Sequence, residues 1–561
     1  MTVESSSTQV LIVGAGPTGL VAALGLLKNG ISVRIIEKDR APRQGQRGPG
    51  IQPRSLELYH FLGVPEILEQ ATAMPDFMSH TMGSPAALKE FPMTPYADPT
   101  PAIPFNNVLV LGQSSVERHL RSHLEKRGTL LEYGKELVSF EQHDDGVVAQ
   151  ISVKTEDGIH TETINAQYII GADGARGIVR KQLGLKFLGE TRETTRIITG
   201  DIRFKCDALP RTNWHLFGNG AGSVVSLRPA RDFGEDDAWH LIMSGDKYDV
   251  SKLLADEDAL CKSIEEAIGA TVKSFEVVWI SDFRQVQTRM PNIRVVNKFG
   301  QGRVLVAGDA AHVHSPTGGQ GLNSGVQDAF NLAWKVALVA KHLAPQSLLE
   351  TYTLERLPVI TELLGLTTAL LDKTFGPKHD TVENAFHRGR ILYMLGVNCR
   401  ASPIVCDERA VDVAPIAAYG EEVSGQLVAG DRAPDAPGLV EVGGEGRGGV
   451  VSLFDLFRYT HHTALVFAPE ILEAEEIVKL LSPYAESEIA RVVVVLPATG
   501  ESEATLDYAR VVVDKENHAH ANYLIERGET RVVIVRPDGV VGAIVAGSLG
   551  IQKYFGRILA Q

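Results

Sequence analysis

The stretch "QVLIVGAGPTGLVAALGLLKNGISVRIIEKD", residues 9–39, decides the fold, because it reads as strand, tight turn, helix and strand in succession. Val10 to Val13 form an uninterrupted apolar run, as a strand buried on both faces should. Gly14, Gly16 and Gly19 then spell G-x-G-x-x-G, with Pro17 and Thr18 inside the turn, and the run Leu20 to Leu27 carries the helix. A second strand, Val33 to Ile36, ends in Glu37, with Lys38 directly behind it. In such a pattern the first glycine permits the turn, the second lets a pyrophosphate approach the backbone, and the third lets helix pack on strand. The helix N-terminus adds unpaired N–H groups and the positive end of its dipole. Glu37, ~20 residues beyond the first glycine, is placed to accept from a ribose hydroxyl. Strand, spacing, helix and terminal acid agree, so Gly14, Gly16, Pro17, Thr18, Gly19, Glu37 and Lys38 are predicted to line a dinucleotide. An acid at this place favours an unphosphorylated adenosine ribose, hence FAD or NAD rather than NADP.

Composition sets the outer limits. The chain has 561 residues, 44% of them hydrophobic and 22% charged, enough for several domains with real cores. A net charge of −14 argues against nucleic acid or an anionic membrane surface as partner. Cys206, Cys261, Cys399 and Cys406 lack metal-site spacing and are too few for a disulfide scaffold, which fits a reducing compartment. The N-terminus lacks the basic region of a signal peptide. No window reaches the ~18 apolar residues of a membrane helix. A cytoplasmic protein without a metal site, bound to no membrane, is expected.

Two later segments separate FAD from NAD. "AQYIIGADGARGIVRKQLG", 166–184, sets a short strand before Asp173 and Gly174, with Arg176 and Arg180 close behind. "GQGRVLVAGDAAHVHSPTGGQGLNSG", 300–325, runs a strand into Gly308 and Asp309 and then into a glycine-rich loop that opens a long helical pattern. With the glycine fingerprint, these motifs in this order resemble the class A (single-component) flavoprotein aromatic hydroxylases, the group of para-hydroxybenzoate and phenol hydroxylases. The likeness extends over most of residues 8–370.

The resemblance implies bound FAD and assigns residues to it. Asp309 would accept from the ribityl chain, and the loop Pro316 to Gly321, with Gly318 and Gly319, would lie against the isoalloxazine ring. The helix opening at Gly321, Leu322 and Asn323 would aim its positive end at the ring edge where negative charge collects on reduction. Arg47, in "RGPGIQPRSLELYHFLGV" (47–64), is the basic residue expected beside cofactor or substrate, with Arg54 as a lesser candidate whose alternative is merely to start the helix. Gln113 and Asp173 match further FAD contacts, whereas Arg118 reads as a surface helix charge. Gly177 stands where many relatives carry serine, and Pro49-Gly50 where phenol hydroxylase itself carries an acid. His312 and His314 read as ordinary histidines, either supporting the site from behind or lying in the loop.

The predicted fold class is α/β. A Rossmann-like FAD-binding domain spans 1–77, 106–180 and 285–400 with a helical extension, and a mostly antiparallel β-sheet domain for substrate is inserted at 78–105 and 181–284. A linker follows at 401–430, then a thioredoxin-like α/β domain at 431–561. That last domain reads "VFAPEIL" where a redox thioredoxin needs C-x-x-C, so disulfide chemistry is excluded and a structural or dimer-forming role is expected. Trp214, Phe217, Trp239 and His240 are the candidates to line the substrate pocket. No catalytic base is assigned; Arg47, His215 and Arg289 are the candidates for a catalytic part.

There is no second glycine fingerprint for a resident nicotinamide cofactor, so NADPH or NADH is expected as a transient reductant. The implied activity is an FAD-dependent, NAD(P)H-consuming monooxygenase that hydroxylates an aromatic, phenolic substrate with dioxygen through a flavin hydroperoxide. Epoxidation or Baeyer–Villiger insertion on a polyketide- or terpenoid-like substrate is the alternative, and a non-catalytic flavin-binding scaffold stands behind it. A flavin halogenase is not, because no W-x-W-x-I-P segment occurs.

Overall fold

The structure, a computed structural model, describes residues 5–156, 158–191, 197–218, 222–231, 236–245, 247–282, 292–315, 318–375, 381–409, 417–420, 425–442, 448–498 and 505–560. Arg289 and Pro316, both named above, lie outside the described residues.

The opening stretch builds β1 (Ser5–Val13), α1 (Pro17–Lys28) and β2 (Val33–Glu37). β1 is the centre of a parallel core. It pairs with β2 on one side and with β3 (Gly158–Gly171) on the other, and β3 pairs in parallel with β4 (Val304–Val306). The glycine turn after β1, the Asp173 turn after β3 and the Gly308 turn after β4 therefore leave the same, carboxyl-terminal edge of one sheet. That edge is where open α/β sheets place their ligands.

Behind the sheet lie α1, α2 (Pro53–Leu62), α3 (Gly321–Ala340) and α4 (Glu350–Phe375). α3 is buried along most of its length. Val326, Ala329, Phe330, Ala333 and Val336 form the expected apolar stripe. The polar positions between them, Ser324, Asp328 and Lys335, are as deeply buried and face α4 rather than water.

A seven-stranded sheet is inserted into this unit, in the order Lys273–Asp282, Ile197–Lys205, Ala238–Ser244, Val224–Pro229, Trp214–Phe217, Phe77–His80 and Ala87–Phe91. Its pairings are antiparallel except where Phe77–His80 runs parallel to Trp214–Phe217. Helices Val250–Ala255 and Glu257–Ile268 cover one face, packing Leu253, Leu260 and Ile264 on Ile202, Phe204 and Trp239.

The tail forms an eight-stranded mixed sheet whose central members, His462–Phe467, Ala490–Pro497 and Ala509–Asp514, are parallel. Arg531–Val535 and Val541–Val545 extend it antiparallel. The expected linker is not loose chain where it is described. Cys406–Asp407 adds a strand to the tail sheet beside Val541–Val545, and Arg400 pairs with Asp431 at 2.6 Å. Apolar Ile404 and Leu427 within that stretch are buried, so it folds into the protein instead of spanning solvent.

Tail and parallel-sheet unit share one hydrophobic core. Phe454 stands edge-on to Phe61 at 4.9 Å, and His462 meets Trp334 at 5.5 Å. The Tyr459 ring packs on Phe330 and donates its hydroxyl to the carbonyls of Ala329 and Phe330. The same ring fills the space over Gly25 of α1, where an added Cβ would lie 2.4 Å from it. Glycine inside a helix normally costs about 1 kcal/mol relative to alanine. At Gly25 the sign reverses: Gly25→Ala overpacks the tail contact and lowers the urea midpoint, by about 1–3 kcal/mol in unfolding free energy. A midpoint that rises would mean that Tyr459 is free to step aside.

Candidate active site

The three fingerprint glycines meet different surroundings. Gly14 has φ +103° and a Cβ there would sit 2.3 Å from the Ala172 carbonyl oxygen, so both its conformation and its neighbour demand glycine. A Cβ on Gly19 would lie 2.1 Å from the Gly14 oxygen. Around Gly16 there is nothing within 4 Å. Gly14 and Gly19 thus hold the turn together, and Gly16 leaves a gap at the N-terminus of α1. Pro17 opens that helix, where a missing N–H costs nothing. Glu37 accepts from the Ala15 N–H at 2.9 Å and so ties the end of β2 to the turn, while Lys38 is exposed. Thr18 lies beneath the second motif: a Cβ on Gly308 would fall 2.5 Å from its Oγ1, and one on Gly325 would fall 2.3 Å away.

Gly308 and Asp309 are anchored from below. The buried Asp328 carboxylate accepts from the Gly308 N–H (3.0 Å), from His312 Nε2 (2.6 Å) and from Arg356 Nε (2.8 Å). Burial alone would raise the Asp328 carboxyl, but His312 and Arg356 hold it down at about 2. His312 meets Asp328 through Nε2, and its Nδ1 lies 2.9 Å from His314 Nε2. His314 Nδ1 is left buried without a partner. Both histidines therefore support the Gly308 turn from behind, the first of the two places expected for them. Arg180 steadies the same turn by donating to the Ala310 carbonyl at 3.0 Å. Asp309 itself makes no hydrogen bond among the described residues. Burial pushes its carboxyl up, against the pull of His312, Arg47 and Arg43.

The glycine-rich loop continues this open surface. Gly319 has φ +62°, and Gly321 has nothing within 4 Å of its missing Cβ. Gly318, in contrast, packs toward Thr367 and Leu370 of α4, and Leu322 packs on the core. Asn323 is a clamp: its amide donates to the carbonyls of Gly50 and Gly319 and accepts the Gln52 N–H at 2.9 Å. Gln52 Oε1 is buried and unpartnered, as is Asp173 Oδ1, while Gln52 Nε2 is the atom turned toward Gly319. Asp173 uses its other oxygen to accept the Val179 N–H, and its carboxyl is raised by burial. Gly177 is required here, because a Cβ would lie 2.1 Å from that carboxylate. Gln113 donates to Glu117 at 2.8 Å. Arg118 is on the surface, and Arg54 faces the tail, donating to the carbonyl of Asp538 at 2.8 Å.

Alternation along the inserted strands splits the substrate candidates between two faces. Phe217 and Trp239 belong to the helix-covered core, with Trp239 stacked on Phe204 at 5.3 Å. His215 is on that side too, bonded to His80 at 2.9 Å and to the Pro210 carbonyl. His240 faces the other way. Its Nδ1 donates to Asp201 at 2.9 Å, and the second Asp201 oxygen accepts the Gln46 N–H at 2.8 Å. Arg228 donates to the Gln46 side chain and stands over the Trp214 ring. Arg47 follows, its guanidinium 5.6 Å from the Trp279 ring, which in turn covers Gly45. Arg47 keeps φ +33°, a left-handed conformation that costs a non-glycine residue about 1 kcal/mol or more and that tends to mark functional loops. Gln52, Asp201 and Trp279 had no signal in the chain; each is defined by a partner far away in sequence. Among the described residues no cluster of three or more His, Cys, Asp or Glu could hold a metal ion, and no helix is long and apolar enough to cross a membrane.

The FAD binding domain family matches residues 7–367, and the phenol hydroxylase C-terminal dimerisation domain matches 474–561. A flavin-dependent monooxygenase of Mycobacteroides abscessus is 32% identical across 98% of this chain and 100% of its own length. Pentachlorophenol 4-monooxygenase of Sphingobium chlorophenolicum is 30% identical across 85% of this chain and 84% of its own. Among solved structures, a ternary complex of aklavinone-11 hydroxylase with FAD and aklavinone shares the fold with a TM-score of 0.77. It is 24% identical and covers 98% of both chains.

The depressed Asp328 carboxyl makes a signed prediction. Asp328→Asn leaves Arg356 buried without its charge partner and lowers unfolding stability by about 3–5 kcal/mol at pH 7. The ionised carboxylate stabilises the fold above its unfolded pKa of about 4, and that contribution is lost as pH falls through about 2. Urea unfolding at a series of pH values therefore shows a gap between wild type and variant that is constant above pH ~4 and narrows below it. A gap that widens on acidification would contradict this assignment.

Proposed function

The chain belongs to the flavin-dependent monooxygenases built on the FAD binding domain, and from that premise we propose that it hydroxylates a phenolic ring with dioxygen and NAD(P)H. The observation that carries the residue assignment is the contrast among the glycines. Gly14 and Gly19 are locked by protein atoms, whereas Gly16 and Gly321 face open space along one sheet edge. Such gaps suit a ligand that needs backbone contact at its phosphates and again at its ring. The unbonded Asp309 carboxylate and the orphaned Gln52 Oε1 and Asp173 Oδ1 supply acceptors between those ends.

The chemistry supplied by bound FAD is acceptance of a hydride from NAD(P)H and activation of dioxygen for transfer of one oxygen atom. The chain's own residues bind and orient. In this reading the Gly16 gap and the first turn of α1 hold the pyrophosphate, Glu37 the ribose, and Asp309 the ribityl hydroxyls. Gly319, Gly321 and the N-terminus of α3 lie against the ring, where the helix dipole favours negative charge. Arg47 and Trp279 border both ring and substrate, and the sheet face of Asp201, Arg228 and His240 walls the pocket. Asp201 keeps a proton on His240 Nδ1 and so leaves Nε2, 3.4 Å from Thr199 Oγ1, as the position able to take a phenolic proton. Two copies are proposed to pair through the tail, and a cytoplasmic setting, where NAD(P)H is regenerated, suits the four unbridged cysteines.

The test compares two glycines of one motif in FAD-free protein. Gly16→Val leaves the thermal midpoint close to wild type and weakens FAD binding by ~10-fold or more in a fluorescence titration, while Gly14→Val lowers the midpoint itself. The wild type turns yellow with FAD and consumes NAD(P)H faster when phenols are added. Wild-type FAD affinity in Gly16→Val would remove the cofactor from this edge.

A further inference from the structure

Glu355 and Arg356 are neighbours on α4, and both are buried. About 100° apart around the helix, they reach different ends of the polar stripe on α3. Arg356 extends to Asp328, and Asp328 holds the Gly308 N–H and His312. Glu355 extends the other way. Its two oxygens accept from both terminal nitrogens of Arg536 in the tail, at 2.9 Å each, and also from Lys335 at 2.8 Å and Ser402 at 2.6 Å. Burial opposes ionisation of Glu355, but Arg536 and Lys335 keep its carboxyl well below the usual range. Arg536 is itself braced by Asp538, whose carboxylate also accepts from the Trp334 ring nitrogen.

This turn of α4 is also held by Tyr352, which donates to the Val306 carbonyl at 3.1 Å, and by the buried Val359 and Ile360. Pro358 sits inside the helix and lacks the N–H that would bond one turn back. Beside the turn is a cavity of about 40 Å³, room for a few waters, whose border mixes Asn331, Glu355, Arg356 and Asp538 with apolar Phe330 and Val359. The Arg536–Glu355 pair is the contact by which the tail reaches this turn of α4.

Taking the FAD assignment above as its basis, we propose that Arg536 is a positioning residue for the cofactor loop. By holding Glu355 it fixes Arg356, and through Asp328 it fixes Gly308 and Asp309. The tail domain thereby tightens FAD binding from behind, without touching the cofactor.

The experiment uses the full-length chain stripped of FAD, with FAD affinity read by fluorescence titration and stability by thermal midpoint. Arg536→Gln weakens FAD binding about tenfold. Arg409→Gln, which removes another tail ion pair, with Asp407, leaves the affinity unchanged. Arg356→Lys also weakens binding, and the double variant Arg536→Gln/Arg356→Lys loses less than the product of the single losses, because both act on one chain of contacts. A tail that merely adds stability would give independent, multiplying losses. If Arg536→Gln does not fold, Arg536→Lys, which keeps the charge and loses the two-pronged contact, is judged by the same criteria. Wild-type affinity in the folded Arg536 variant, or multiplying losses, overturns the inference. Failure of the wild type itself to bind FAD overturns the assignment beneath it instead.

Discussion

The Asp328 carboxylate is the constraint on which the rest depends. It is wholly buried, and its donors come from three places: the turn after β4, His312 beyond that turn, and α4. A buried carboxylate tolerates this position only while each partner stays in place, since removal of one leaves an uncompensated charge in a low-dielectric interior. Sheet edge, α3 and α4 are therefore fixed relative to one another to within the length of a hydrogen bond. A site assembled from loops needs that rigidity, because its exposed glycines have little of their own.

The inserted sheet solves a different problem. It must bury one face under helices to be stable and leave the other for chemistry. Trp239 and His240 are adjacent in sequence and lie on opposite sides, one stacked on Phe204 and the other bonded to Asp201. Gln46 and Arg47 tie the polar face to the parallel-sheet unit: the Gln46 N–H reaches Asp201, its side-chain carbonyl accepts from Arg228, and the Arg47 guanidinium stands toward Trp279. Movement of that stretch would alter both sides at once.

What could be read from the chain follows from distance along it. The β1–α1–β2 unit was legible because its glycines, helix and acid act on one another over about thirty residues, and each obeys a local rule. The inward face of the strands was not legible, since period-two alternation says which residues share a side but not which side is covered. Arg54 illustrates a second limit. It does stand in the first turn of α2, where it pairs with Glu57, yet its other partners are the distant carbonyls at 538 and 539. His312 and His314 show a third: nothing in "AHVHS" distinguishes a solvated pair from one threaded onto Asp328, whose carboxylate arrives from the following helix.

The shared core has a consequence for how the protein is made. β1 leaves the ribosome early, yet its central pairing with β3 waits for about 150 further residues and that of β3 with β4 for more still. Even then the back of α3, with Phe330 and Trp334, and the ring of Phe61 on α2 have no cover until Tyr459, Phe454 and His462 emerge. During translation the nascent chain thus carries an uncovered aromatic surface on α3 for about 130 residues of synthesis, the situation in which chaperones engage and aggregation competes with completion.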